Sequence, residues 1–456
     1  MGRHVRSFRG DRKMTKFAKI TTVALFVVLA AASTVLAGEW TKDEKGWKYL
    51  ENNQPVTFQW RTDVEGNYFY LGGDGYMVTS SFVDEDRYVD YTGRMVRGRW
   101  IQINDKWHYF ESSGRMVTGR KKQISNLWYC FDSEGVMITG WYNDGTDWYY
   151  CDETGAGHML TSTWKKLTPA PEMNVETSAL DSGDGTYWFY FQNTGKAARA
   201  TEGGFKEYTI GGVRYAFDTN GIMQTGWVKL SDTNPAIAGY KFFNNDKSLG
   251  VYGAAHAGWL SAYPPSGFGG GDVQWYYFDN RGVPAFGTEL TVGGRKAYLA
   301  NFKKIAKNGT TYTYLFTEKG NPVYGLVQVQ LSDGSATSMY FGSKSQSCLQ
   351  KATTVTEGDG NQWLYAFNSQ GYGITGIKNN YLYYKGKVQK AMDERLAYYK
   401  VGGVTYLVNQ SGYLVKGYNR TKDPSVVEYR SNASGVRDGG TASLSVLIEP
   451  EYQDQD

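Results

Sequence analysis

The chain is poor in the residues that most often carry chemistry or covalent bracing: of 456 residues, three are cysteine, four histidine and ten proline. Three cysteines give no disulfide framework. Cys130 and Cys151 lie one register apart in the same repeated strand, so alternation sends them to opposite sides. Cys348 has no partner that sequence can name. The histidines (His4, His108, His158, His256) show neither HExxH spacing nor a cysteine–histidine metal pattern. A G-x-S-x-G elbow and a P-loop are also missing. The acidic stretch "DEDRYVD" (Asp84 to Asp90) lacks the glycine and glutamate of an EF-hand, and "DSGDG" (Asp181 to Gly185) reads as a turn. We therefore expect no catalytic residues, no metal and no cofactor.

Long apolar runs are missing too, with one exception. Ile20 to Ala32 follows a basic opening and is followed by "STVLA", with small residues at Val35 and Ala37. That order predicts a secretory signal, residues 1–37, cleaved after Ala37. The run is shorter than the roughly 20 residues that cross a bilayer, so no membrane span is expected after cleavage. Met14 heads a more ordinary signal than Met1 does. The segment carries seven basic residues and one acid, so its removal takes the formal charge from +4 to −2. A nearly neutral chain without basic clusters has no electrostatic footprint for nucleic acid.

What the chain does have is aromatics, 16% of the sequence, and 56 glycines. They come in a repeated phrase. "NDKWHYFESSGRMVTGR" (Asn104 to Arg120) is followed by "SNLWYCFDSEGVMITGW" (Ser125 to Trp141) and "GTDWYYCDETGAGHMLTSTW" (Gly145 to Trp164). Period-2 alternation puts Trp107 and Tyr109 on one face, His108 and Phe110 on the other. Turns follow at "DSEG", "DETG", "DTNG", "DNRG", "NSQG" and "NQSG", where Asp or Asn can bond its own turn and the last Gly supplies positive φ. Each phrase thus predicts a short β-hairpin.

A lone hairpin does not keep itself folded in water, whereas stacked hairpins cover one another's aromatic faces. The turn glycines Gly75, Gly93, Gly114, Gly135 and Gly155 recur at intervals of 18 to 21 residues. The expected fold is all-β, an elongated solenoid of stacked hairpins over residues 38–417. It should be regular over 66–164 and degenerate, with insertions, over 165–417. Past Tyr418 the pattern is lost: residues 418–456 read as a tail with a loose linker and "LSVLIEP" as a possible last strand.

The phrase "GW…WYYFD…G.M.TGW" resembles the cell-wall-binding repeat family. That family includes choline-binding repeats, with relatives among clostridial toxin C-terminal repeats and glucan-binding domains. The resemblance implies ligand sites between consecutive repeats, built from the Trp after the closing Gly, the hairpin aromatics that follow and an aromatic of the next hairpin. It maps one site to Trp141, Trp148 and Tyr150, closed by Trp188. A second maps to Trp100, Trp107 and Trp128, a third to Trp259, Trp275 and Tyr277, and a weaker fourth to Trp227 with Phe242. Met116 and Met137 would line the floor. At Gly119-Arg120, Gly325-Leu326, Gly376-Ile377 and Gly417-Tyr418 the first wall is missing, and aromatics there are expected to be structural.

The resemblance implies an exported, non-catalytic surface protein held to cell-wall choline, on teichoic acid, or to wall glycan, with no LPxTG-like sorting sequence in sight. A secreted adhesin for host or polymer glycans is the alternative, favoured by polar-flanked stretches such as "FNNDKS" (Phe243 to Ser248). The non-catalytic portion of a wall hydrolase system is a third. Protein partners are not legible.

Overall fold

The computed structural model describes residues 38–173, 175, 184–269, 271–342, 348, 350–419 and 428–454. The expected signal segment lies outside them. Among the described residues the fold is all-β, and its helical turns are three short 3-10 turns, Pro171–Met173, Ala236–Gly239 and Lys247–Leu249. The chain divides into two compact units. One runs up to Lys122 and includes Phe131–Met137; the other comprises Gln123–Cys130 and everything from Ile138 onward.

Most sheets are two-stranded hairpins of sequence neighbours. Gly140–Asn143 pairs antiparallel with Trp148–Cys151, placing Trp141 opposite Tyr150. Thr163–Leu167 pairs with Tyr187–Phe191, placing Trp164 opposite Tyr190. The second strand alternates as the aromatic pattern demands: Phe189 and Phe191 are fully buried while Trp188 is 38% exposed. Burying each such ring contributes roughly 1.5–3 kcal/mol. The turns close as their sequence predicts. Asp132 Oδ1 accepts from the backbone N–H of Glu134 at 2.9 Å and Val136 at 2.8 Å. Gly135 then turns at φ 78°. Asp218, Asp279, Asn368 and Asn409 repeat the arrangement.

At several junctions one backbone hydrogen bond joins a hairpin to the one before it. Two residues after a glycine of the turn (Gly135, Gly157, Gly195, Gly221), the N–H reaches back to a carbonyl at the start of the previous hairpin's second strand. In the first unit Met137 donates to Trp107 at 2.8 Å; in the second, Met159 donates to Trp128 at 2.7 Å, Ala197 to Trp148 at 2.8 Å and Met223 to Trp188 at 2.9 Å. Methionine at this position also packs under the next turn. A Cβ on Gly135 would lie 2.7 Å from Met116 Sδ, and one on Gly195 would lie 2.3 Å from Met159 Cε. These turns therefore need glycine for space as well as for φ.

The C-terminal region departs from expectation in two ways. First, the repeat continues past Tyr418. Asn432 builds the same turn, with Gly435 at φ 80°, and Arg437 donates to the Thr405 carbonyl at 2.8 Å. Degenerate spacing hid it. Second, "LSVLIEP" adds no hairpin but runs backwards along the earlier repeats. Ser445 donates to Tyr398 O, Gly358 to Glu451 O and Gln453 to Leu326 O, at 2.8–2.9 Å. Gln389 and Ile448 bond to each other in both directions.

This returning strap covers a buried ion pair. Glu357 and Lys387 are both fully buried and 2.7 Å apart. The Tyr365 phenol donates to Glu357, the Lys387 ammonium donates to Glu449 O at 2.9 Å, and it lies 4.1 Å from the Trp363 ring centre. Every charge on the pair is thus met, the condition under which burial of ions is tolerated.

Candidate functional site

The Trp that opens a hairpin stands at the junction with the next, and rings close around it from both sides. Trp141 lies 5.3 Å from Tyr150 at 85°, directly across its own hairpin. Trp148, two residues earlier on the same face as Tyr150, stands 6.0 Å away at 87°. The third wall comes from the following hairpin and is Phe189, 4.8 Å away at 71°. Trp141 is fixed by its indole N–H, which donates to Thr168 O at 2.8 Å. The arrangement presents ring faces nearly at right angles.

Phe189, not Trp188, therefore closes this junction. Alternation explains the difference: Phe189 points inward with Phe191, and Trp188 points to the other face. There Trp188 lines a cleft with Trp164, Tyr215 and Met223. Trp164 was missed as a site residue, because the 165–185 insertion separates it from its own second strand. It lies 4.8 Å from Tyr215 and 5.1 Å from Tyr190.

The same construction recurs. Trp259 meets Trp275 at 6.5 Å, Tyr277 at 5.2 Å and Tyr314 of the next hairpin at 5.0 Å. Trp227 meets Phe242 at 5.5 Å and Tyr276 at 4.9 Å. Trp227 donates to Tyr263 O at 2.8 Å, the counterpart of the Trp141 bond. In the first unit Trp100 lies 5.2 Å from Tyr109 and stacks on Phe131 at 5.6 Å, and Trp107 is 38% exposed. Trp128 belongs to the second unit. Met116 packs under Gly135. Met137 bridges Phe131 in its own repeat.

A box that sequence reasoning passed over sits at the start of the first unit. Trp40 meets Tyr49 at 5.2 Å and Phe69 at 5.3 Å, both at 72°. Together with Trp47, Asp63, Met77 and Thr92 it lines a small pocket of about 50 Å³. The signal was available: Trp40, Trp47 and Met77 occupy the positions of Trp164, Trp188 and Met223, but "EWTKDEKGWKYL" lacks the closing Gly before its Trp.

The rings are neutral as well as close. Burial, and then the Glu153 carboxylate that accepts its hydrogen bond, push the Tyr150 phenol above its ordinary range. Burial does the same to Tyr215, Tyr276 and Tyr314. Among the described residues no cluster of His, Cys, Asp or Glu is placed to hold a metal ion. None of the three cysteines forms a disulfide.

Comparison with protein families identifies some of these hairpins. Residues 96–130 and 121–164 match the family model described as a choline-binding repeat. Residues 59–77 and 274–283 match that of a putative cell wall binding repeat. Residues 96–164 carry choline-binding repeats. Solved structures to which the chain aligns include the modular autolysin LytC of Streptococcus pneumoniae, at 19% identity and TM-score 0.37, covering 62% of this chain and 52% of that one. This chain thus spans about half of LytC's length. Choline binding protein F of the same organism aligns at 18% identity and TM-score 0.32, covering 75% of this chain and 100% of its own. The choline-binding domain of CbpL, also from S. pneumoniae, aligns at 22% identity and TM-score 0.28, covering 41% and 96%. Comparison with curated proteins returns no match.

Among the described residues no helix is long and apolar enough to cross a membrane. Choline-binding repeats imply association with the cell wall.

Proposed function

We propose that this is an exported, non-catalytic surface protein that holds choline-bearing wall polymer, such as a choline-decorated teichoic acid, in aromatic boxes between consecutive choline-binding repeats. Repetition of the hairpin-to-hairpin step would wind the repeats into a solenoid. The observation that carries the reading is the set of near-perpendicular walls at Trp141, with Trp148 at 87°, Tyr150 at 85° and Phe189 at 71°. A quaternary ammonium has no N–H to donate, so it is held by ring faces alone, about 0.5–2 kcal/mol per ring. Perpendicular rings offer it several negative faces at once. Boxes at Trp40, Trp141, Trp164, Trp227 and Trp259 would act together, and multivalency can raise affinity by about 10² or more.

The test is retention of the full chain on isolated cell walls, with competition by free choline and, separately, by wall oligosaccharides. Release by millimolar choline supports the reading. Release by oligosaccharide with indifference to choline overturns it in favour of glycan recognition.

A further inference from the structure

Beside the Trp40 pocket the first unit holds a second cleft of different chemistry. It measures about 470 Å³, and Thr92 lines both. Three arginines line it, Arg94, Arg97 and Arg99, together with Asp90. Asp90 anchors Arg99 at 2.6 Å, and Arg94 has only a long, exposed contact to Glu65 at 3.5 Å. Arg97 is held without being neutralised. Its Nε donates to Ser112 O at 2.7 Å, and its guanidinium lies over the Tyr68 ring at 5.0 Å. Among the described residues no carboxylate pairs with it. Its terminal N–H groups are oriented but unspent, a planar fork that fits two oxygens of one tetrahedral or carboxylate anion.

The neighbouring pocket has the opposite preference. Trp40, Trp47 and Phe69 present ring faces there, and the Asp63 carboxylate lies at its lining. An aromatic box and an arginine-lined cleft thus share Thr92. We propose that the Arg97 cleft is an anion subsite for a phosphodiester, so that this junction reads a zwitterion: quaternary ammonium in the Trp40 box, phosphate on Arg97 and Arg94. The ammonium half rests on the function proposed above; the anion half rests on the guanidinium geometry alone.

Isothermal titration of the full chain with choline, phosphocholine and choline-free poly(glycerol phosphate) tests both halves. Wild type should contain sites that take phosphocholine at least about threefold more tightly than choline, an advantage that shrinks with added salt. Arg97→Gln should bring phosphocholine down to the level of choline at those sites and weaken poly(glycerol phosphate). Arg97→Lys, which keeps the charge but loses the fork, should retain part of the advantage, and unchanged thermal melting checks that both variants fold. Equal binding of choline and phosphocholine by wild type overturns the proposal, as does an advantage that survives Arg97→Gln. Arg97-dependent binding of poly(glycerol phosphate) without any choline binding would uphold the anion subsite and overturn the choline reading instead.

Discussion

The side-chain amide of Asn321 donates to the carbonyl of Trp275 at 3.4 Å. That carbonyl holds the place filled at an earlier junction by Trp188, which accepts the backbone N–H of Met223. Here the residue in the position of Met223 is Pro322, which has no N–H to give. A side chain one residue away supplies the missing donor.

This substitution predicts a compensating pair. Asn321→Ala should lower stability by about 0.5–1 kcal/mol, the worth of one modest hydrogen bond. Adding Pro322→Ala, which restores a backbone donor, should recover most of it. Denaturant midpoints of the two variants decide; equal losses in both would mean that Asn321 does not stand in for the backbone.

Removing a wall from an aromatic box should weaken ligand without unfolding the chain. Trp148→Ala, at the open side of the Trp141 box, should cost on the order of 1 kcal/mol of choline binding at that site. Trp141→Ala should cost at least as much. Tyr381, which stacks on Tyr413 at 4.1 Å, serves as control. Tyr381→Ala should leave choline titrations unchanged, and loss of binding there would count against the assignment of boxes to Trp junctions.

Glycine needs at the turns separate into two parts. Gly195 and Gly212 share φ 81°, but only a Cβ at Gly195 would strike Met159, while nothing lies within 4 Å at Gly212. Gly212→Ala should cost roughly 1 kcal/mol from backbone strain alone. Gly195→Ala should lower the melting temperature further, and Gly195→Ala with Met159→Ala should return part of that difference.

Acid should destabilise the fold through its buried histidines. Desolvation lowers the pKa of His256, whose ring bonds Asn244 at 2.8 Å, and of His108. A depressed folded-state pKa means that the unfolded chain binds protons first. The stability is therefore present above the unfolded value, about 6.5, and is lost as pH falls below it toward the lower folded value. Melting temperature should fall between pH 7.5 and 5.5, and fall less in His256→Gln. An identical slope in that variant would remove His256 from the account.

Sequence made the hairpins legible because their signals are local. Alternation, an Asx turn and a positive-φ glycine all act within a dozen residues, but they mark the turn that follows the aromatic strand; the pairing of that strand with the one before it, which sets Trp141 opposite Tyr150, they did not specify. Which aromatic closes a box from the next hairpin is a different matter. It depends on the offset between hairpins, and alternation within one strand left Trp188 and Phe189 undecided. Trp164 was obscured by an insertion, and Trp40 by a missing glycine. The strap was illegible for another reason: residues 445–453 have no periodicity of their own, and their partners lie as far back as Arg295.

That strap has a kinetic consequence. Hairpins joined only to their neighbours can form in order as they are synthesised, each with short loops to close. The block from Arg295 onward cannot finish in this way, because Arg295 finds Glu451 only across a separation of 156 residues. Its folding should be slow and all-or-none beside the stepwise assembly upstream, with Glu357 and Lys387 waiting for residues 449–451 before their charges are fully enclosed.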